Sequence, residues 1–321
     1  MRNAVCHRFS SGAAFSGASY RVHSLFESVV NLLPTEDCPH PRSLLSLVRA
    51  SRRPDQRRLM VPFGAELRDH PAGERLFHLL HRPDATLTWA WPRMDSLQVS
   101  VPFRSPVLFG WRDASTSSWD PLLPPSSGRP SPPRSLVRSL KAAIGRRQPA
   151  AGSSLMEDAF ARAVGRVEGA LLLTRQRGER LSGKGRAAVA AAGDSGETLR
   201  CLRGMVGLGS GLTPSGDDFL VGVAAAMLSR DHPLAAQVCR LCDDAAASQR
   251  ATTMVSRAFL AAAARSHFSE FVMRLLEKVV AENEMKIEED LAEEIVAYCH
   301  MFGASSGRDT LRGVLAVLED G

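Results

Sequence analysis

The stretch that constrains this chain most is residues 207–219, Gly-Leu-Gly-Ser-Gly-Leu-Thr-Pro-Ser-Gly-Asp-Asp-Phe. Its three alternating glycines let the backbone adopt positive φ angles and approach a ligand closely. The hydroxyl residues Thr213 and Ser215 suit a helix N-cap, and Pro214 suits the first helical turn. The stretch therefore predicts a loop that leads into a helix, whose first N–H groups favour a bound anion. Gly222, in the alanine-rich run that follows, permits close helix packing.

Two adjacent carboxylates, Asp217 and Asp218, fall in or near the first turn of that predicted helix. They add capacity for a metal ion or for proton transfer, so we expect catalytic residues and ligands for Mg²⁺. The stretch is not a P-loop, because no Lys-Ser or Lys-Thr pair follows the glycines. It lacks the strand–helix–strand context of a dinucleotide site. The alternative is an ordinary helix start whose acids only favour the helix dipole.

Two later stretches repeat this outline of small and hydroxyl residues before a helix. Residues 305–310 read Ser-Ser-Gly-Arg-Asp-Thr, and Arg308 is able to bind a carboxylate or phosphate in bidentate fashion. Residues 252–256 read Thr-Thr-Met-Val-Ser and place hydroxyls where a helix begins. In each stretch the side chains either cap the helix or contact a ligand, and spacing alone leaves both possibilities open.

A change of hydrophobic period divides the chain. Between residues 20 and 115, short apolar runs separated by turn residues predict strands, with period-two alternation at 85–89 and 97–101. From residue 136 onwards, apolar residues recur at helical spacing. Residues 119–135 are rich in Pro, Ser and Gly, which favours an extended connection. The predicted fold class is α+β: an N-terminal antiparallel β domain, a small barrel or sandwich, followed by a mainly α-helical C-terminal domain.

The predicted domains follow from this division. We expect a flexible N-terminus over residues 1–20, a β-rich domain over 21–118, a linker over 119–135 and a helical domain over 136–321. The helical domain carries the glycine-rich stretch. A chain of 321 residues is long enough to give two domains their own cores.

Charge and composition bear on partners and location. The net charge of +6 permits nucleic-acid binding on charge alone. No nucleic-acid-binding motif accompanies the basic residues, so we expect a small anionic metabolite instead. No run approaches the ~18 apolar residues that span a bilayer, which predicts no membrane partner. The six cysteines are sparse and no secretory signal opens the chain, which predicts a cytoplasmic protein with reduced thiols.

These motifs together resemble a bacterial family that includes AllH, a subunit of oxamate carbamoyltransferase encoded beside FdrA-type proteins. The family pattern Gly-x-Gly-x-Gly-Leu-Thr-Pro-Ser-x-Asp-Asp is matched at residues 207–218. Its Thr-Thr-x-Val-Ser segment is matched at residues 252–256, and its Ser-Gly-x-Asp-Thr-Leu-x-Gly segment at residues 306–313. Ser210 stands where proline is common in the family.

The resemblance implies a carbamoyltransferase subunit of purine and allantoin catabolism, acting on carbamoyl phosphate and oxamate or oxalurate. It implies partner subunits, including an FdrA-type protein, and a single site built from the three stretches. The alternative is a non-catalytic subunit that binds a metabolite in order to regulate or scaffold an enzyme. The expected anion-binding residues are Gly209, Gly211, Thr213, Ser215, Thr252, Thr253, Ser306, Gly307 and Arg308. The expected catalytic residues are Asp217, Asp218 and Asp309, with Mg²⁺ on Asp217 and Asp218.

Overall fold

The structure is a computed structural model that divides the chain into two compact units. Met1–Pro121 with Ser269–Phe271 form the first unit, and Leu122–Phe268 with Val272–Gly321 form the second. The predicted limits of the flexible start and of the linker stay predictions. One of the short apolar runs that predict strands, residues 59–63, lies outside the described residues. The structure describes residues 6–10, 19–25, 29–35, 44–49, 64–67, 71–82, 84–89, 96–110, 116–124, 132–146, 155–179, 195–280 and 288–318.

The first unit is built on one nine-stranded sheet. Its strands are β1 (Cys6–Ser10), β2 (Ser19–Leu25), β3 (Val29–Pro34), β4 (Leu45–Val48), β5 (Gly64–Leu67), β6 (Thr86–Trp89), β7 (Ser96–Ser100), β8 (Val107–Gly110) and β9 (Ser117–Trp119). Their order is β8-β7-β6-β2-β3-β4-β5-β1-β9. The six strands from β8 to β4 are antiparallel and curl into half of a barrel. The pairs β4–β5 and β1–β9 are parallel, which the period-two pattern did not predict.

One face of this sheet carries the core of the first unit. Val30 and Leu32 on β3 are fully buried, and Val30 lies opposite Leu47 on β4. Alternation along a strand places such residues on one face, where they bury apolar area together. Helix α1 (Pro71–Leu80), which the strand pattern did not predict, adds Leu76 and Phe77 to the same cluster.

The second unit is almost wholly helical, so the predicted α+β fold class is confirmed. None of the described helices is both long and apolar enough to cross a bilayer. The described helices that follow α1 along the chain are α2 (Arg134–Arg146), α3 (Leu155–Glu179), α4 (Ser195–Arg203), α5 (Ser215–Ser229), α6 (Ala235–Ala247), α7 (Met254–Ala263), α8 (Glu270–Val280), α9 (Glu288–His300) and α10 (Ser306–Leu318).

Helices α5 and α10 pack with their backbones in contact. A Cβ atom added at Gly222 would lie 2.1 Å from the carbonyl oxygen of Thr310. A Cβ atom added at Gly313 would lie 2.0 Å from the carbonyl oxygen of Phe219. Real Cβ atoms do not approach so closely, so only glycine allows this crossing. The contact brings the two helices, which are distant in sequence, to a minimal separation one to two turns from their starts.

Replacing either of these glycines by alanine should destabilise the second unit. We expect Gly222→Ala and Gly313→Ala each to lower the free energy of unfolding by about 2 kcal/mol, because the added methyl group overpacks a backbone contact. Gly165→Ala on α3 is the matched control, since a Cβ there meets nothing within 4 Å. The control should be neutral or stabilising by about 1 kcal/mol, as for an open helical glycine. Urea denaturation of the three variants measures the difference, and equal effects would contradict the close packing.

Candidate functional site

The glycine-rich loop folds back onto the start of α5. A Cβ atom added at Gly209 would lie 2.6 Å from the backbone nitrogen of Ser215. The N–H of Gly216 donates to the carbonyl oxygen of Leu208 at 2.8 Å. The loop is therefore packed against the helix start that it precedes. Positive φ angles occur at all three alternating glycines: 71° at Gly207, 125° at Gly209 and 97° at Gly211.

The hydroxyl groups beside the loop join α5 to α10 instead of capping α5. Pro214 occupies the N-cap, and no side chain caps the helix, so the expected cap from Thr213 or Ser215 is absent. The hydroxyls of Thr213 and Ser306 are hydrogen bonded to each other at 2.8 Å. The Ser215 hydroxyl interacts with the carboxylate of Asp309. Predicted residues of the glycine-rich stretch and of the Ser306–Gly313 segment thus lie together, where α5 and α10 begin.

Asp217 is buried and fully hydrogen bonded within the protein. Its side chain is 1% exposed. One carboxylate oxygen accepts from the N–H of Gly207 at 2.8 Å, and the other accepts from the hydroxyl of Thr252. Burial raises the pKa of Asp217, and these two donors oppose the rise. These two bonds fasten the glycine loop to a residue just before α7, and the catalytic role expected for Asp217 stays a prediction.

The Thr-Thr-x-Val-Ser motif at residues 252–256 also holds the glycine loop. Thr253 is the N-cap of α7, and its hydroxyl accepts from the N–H of Ser256 at 3.2 Å. The same hydroxyl donates to the carbonyl oxygen of Leu212 at 2.5 Å. Both threonines of this motif are therefore engaged by the protein itself. The contact with an anion expected for Thr252 and Thr253 stays a prediction.

Asp218 and Asp309 form a pair of buried carboxylates. Each has an oxygen, Oδ2, that is buried and has no hydrogen-bond partner among the described residues. Burial and then the nearby charge of Asp309 raise the pKa of Asp218 well above its ordinary range, although the hydroxyls of Ser306 and Thr213 lower it. Burial likewise raises the pKa of Asp309, against the effect of Ser215 and two arginines. Each carboxylate thus has one buried oxygen whose hydrogen bonding the described residues do not complete.

Two arginines on α10 balance this negative charge. Arg308 and Arg312 both interact electrostatically with Asp309, and Nη1 of Arg312 donates to Oδ1 of Asp309 at 3.3 Å. Nε of Arg308 is buried and has no acceptor among the described residues. Sequence reasoning found Arg308 and missed Arg312. The signal was present, because residues three apart on a helix meet side by side.

Two of the predicted glycines differ in their surroundings. A Cβ atom added at Gly307 would lie 2.2 Å from the carbonyl oxygen of Cys299, so packing against α9 accounts for this glycine. A Cβ atom at Gly211 would meet nothing within 4 Å. Of the two, only Gly211 faces open space, where its backbone is able to meet a ligand.

Among the described residues, no group of three or more His, Cys, Asp and Glu side chains is placed to hold a metal ion. Both oxygens of Asp217 already accept hydrogen bonds from the protein. Asp218 has one oxygen that no described residue partners. Binding of Mg²⁺ through Asp217 and Asp218 stays a prediction.

The arrangement is suited to a small polar ligand with both donor and acceptor groups. Two helix N-termini meet at the Thr213–Ser306 contact, and their dipoles favour negative charge. Among the described residues, Oδ2 of Asp218, Oδ2 of Asp309 and Nε of Arg308 have no hydrogen-bond partner. Buried polar atoms without partners are costly, so a ligand that pairs them gains affinity from the protein's own unsatisfied groups.

Comparison with known proteins places all three motifs in one family match. Residues 205–318 match the family model described as oxamate carbamoyltransferase subunit AllH. The predicted resemblance to the AllH family is thereby confirmed for this part of the chain. No solved structure matches the chain.

The raised pKa of Asp218 makes a testable statement about stability. An acid whose pKa is higher in the folded than in the unfolded chain destabilises the fold as the pH rises through the folded-state value. Asp218→Asn removes that loss. We expect the variant to be more stable than the natural protein at pH 8 by about 1 kcal/mol, the order of cost of an unpaired buried polar group. Its advantage should shrink at pH 4.

Urea denaturation at the two pH values measures this difference. The matched control is Asp244→Asn on α6, because Asp244 is exposed. The control should show no such dependence. An Asp218→Asn variant that is less stable than the natural protein at pH 8 would contradict the assignment.

Proposed function

We propose that this chain is a subunit of an oxamate carbamoyltransferase and that it binds oxamate at the meeting of the α5 and α10 starts. The observation that carries the proposal is a set of buried atoms on Asp218, Asp309 and Arg308 that have no partner in the described part of the chain. These residues lie within the segment that matches the family of oxamate carbamoyltransferase subunit AllH.

Oxamate complements these atoms group by group. Its amide nitrogen carries two N–H donors, and we assign them to Oδ2 of Asp218 and Oδ2 of Asp309. Its carboxylate is an acceptor, and we assign it to Nε of Arg308 and to the backbone beside Gly211. Charge-assisted bonds of this kind are the strong hydrogen bonds of proteins.

The carboxylates also suit the transfer of a carbamoyl group. The amide nitrogen of oxamate attacks the carbonyl carbon of carbamoyl phosphate, and the carbon–oxygen bond to phosphate breaks. The nitrogen loses one proton, which Asp218 or Asp309 accepts, and oxalurate and phosphate are released. A carboxylate whose burial raises its pKa is a better proton acceptor than an exposed one. The helix N-termini stabilise the negative charge that develops on the phosphate side.

Oxamate binding tests the first part of this proposal. We expect Arg308→Met to raise the Kd for oxamate about tenfold or more, because a charge-assisted hydrogen bond to the carboxylate is lost. Arg162→Met on α3 is the matched control, since Arg162 is exposed. Isothermal titration calorimetry with oxamate measures both. Equal affinities of the two variants would remove Arg308 from the site.

A transfer assay with the co-purified partner subunits separates the catalytic from the scaffolding role. We expect Asp218→Asn and Asp309→Asn each to lower kcat by a factor of about 100 while the complex still assembles, as for loss of a general base. Oxalurate formation from carbamoyl phosphate is the measurement. Full activity in both variants would favour the alternative, a subunit that binds the metabolite without catalysing its conversion. Co-purification also identifies the partners, among which we expect an FdrA-type protein.

A further inference from the structure

We propose that Arg312 is the positioning residue of this site: it fixes one oxygen of Asp309 so that the other is presented to the ligand. The inference rests on the proposed function, because it assumes that Asp309 contacts the ligand. It adds a residue that none of the three motifs contains as a defined position, since Arg312 falls on the unspecified place of the Asp-Thr-Leu-x-Gly segment.

The two carboxylate oxygens of Asp309 differ in their contacts. Nη1 of Arg312 donates to Oδ1 of Asp309 at 3.3 Å, one helical turn away on α10. Asp309 is 1% exposed, and its Oδ2 has no partner among the described residues. A carboxylate held at one oxygen cannot rotate without breaking that ion pair. Its second oxygen therefore keeps one direction, as a preorganised acceptor requires.

Arg312 is itself held from behind, so it is able to act as a fixed support. Its side chain is 18% exposed, and its guanidinium lies 5.7 Å from the centre of the Phe160 ring on α3. Phe160 in turn packs edge to face against Phe219 of α5, with 6.2 Å between the ring centroids. Stacking on an aromatic ring stabilises a guanidinium and limits its movement.

Arg312 also lines a groove of about 150 Å³ between α2, α3 and α10. Lys141 and Glu168 form an ion pair in this groove at 2.8 Å, and Glu168 also attracts Arg312. Among the described carboxylates, Asp309 is in direct contact with Arg312 and Glu168 is more distant. The apolar side chains that line the groove are Ile144, Val164 and Leu315.

Arg308 and Arg312 consequently have different roles towards the same carboxylate. Arg312 donates a hydrogen bond to Asp309, whereas Nε of Arg308 has no acceptor among the described residues. In the proposed site, Arg312 therefore supports Asp309 and Arg308 contacts the ligand. Loss of Arg312 should weaken ligand binding chiefly through Asp309, and the double variant described below tests this.

The test compares oxamate binding by Arg312→Met, Arg312→Lys and the control Arg138→Met, an exposed position on α2. We expect Arg312→Met to raise the Kd about tenfold, measured by calorimetry well below the Tm of each variant. Arg312→Lys keeps the charge and should stay within about threefold of the natural protein, and the control should be unchanged. A lowered Tm with an unchanged Kd in Arg312→Met means a merely structural role and overturns the inference.

A double variant shows whether Arg312 acts through Asp309. In the Asp309→Asn background, adding Arg312→Met should change the Kd by less than about twofold, because coupled residues are not additive. A full tenfold loss in that background would overturn the inference.

Absence of oxamate binding by the natural protein would instead refute the proposed function. The natural protein, Arg312→Met, Asp309→Asn and the double variant then decide whether Arg312 holds Asp309. Non-additive changes of Tm support the pairing, and additive changes overturn it.

Discussion

The backbone contact between α5 and α10 is the constraint on which the candidate site depends. Gly222 and Gly313 let each helix rest on a carbonyl group of the other, where a methyl group would be 2.0–2.1 Å from oxygen. At this separation the hydroxyls of Thr213 and Ser306 meet at 2.8 Å. The residues that carry no chemistry thus determine the distance between those that do.

Two electrostatic effects act against each other at the site: burial of the carboxylates, and the hydrogen-bond donors and positive charges around them. Burial disfavours the charged forms of Asp217, Asp218 and Asp309 and raises the pKa of each. Hydroxyl groups, a loop N–H, two helix N-termini and two arginines offset part of that cost. Asp217 receives its donors from the protein, whereas Asp218 and Asp309 each have an oxygen with no partner among the described residues. The three acids thus differ in their hydrogen bonding, although all three belong to similar motifs.

The sequence predicted the division into strands and helices because hydrophobic period and turn residues are local signals. It also predicted that the glycine loop and the stretch around Ser306 share a site, through the family resemblance. It did not predict that Gly307 packs on Cys299, or that Thr252 and Thr253 fasten the loop, because these depend on helices that meet only in the folded chain. Helix α1 was missed because it is a ten-residue helix within a region of strand-like runs.

The two hydrogen bonds of the Thr253 hydroxyl have a consequence for motion. One hydroxyl both caps α7 and holds the carbonyl of Leu212, while Asp217 ties Gly207 to Thr252. The loop is thus fastened at both ends to helices that belong to the core. Because these contacts hold it at both ends, we expect the loop to open together with the starts of α5 and α7. In hydrogen exchange, the amide of Gly207 would then exchange with the slow class of core helices instead of the fast class of loops.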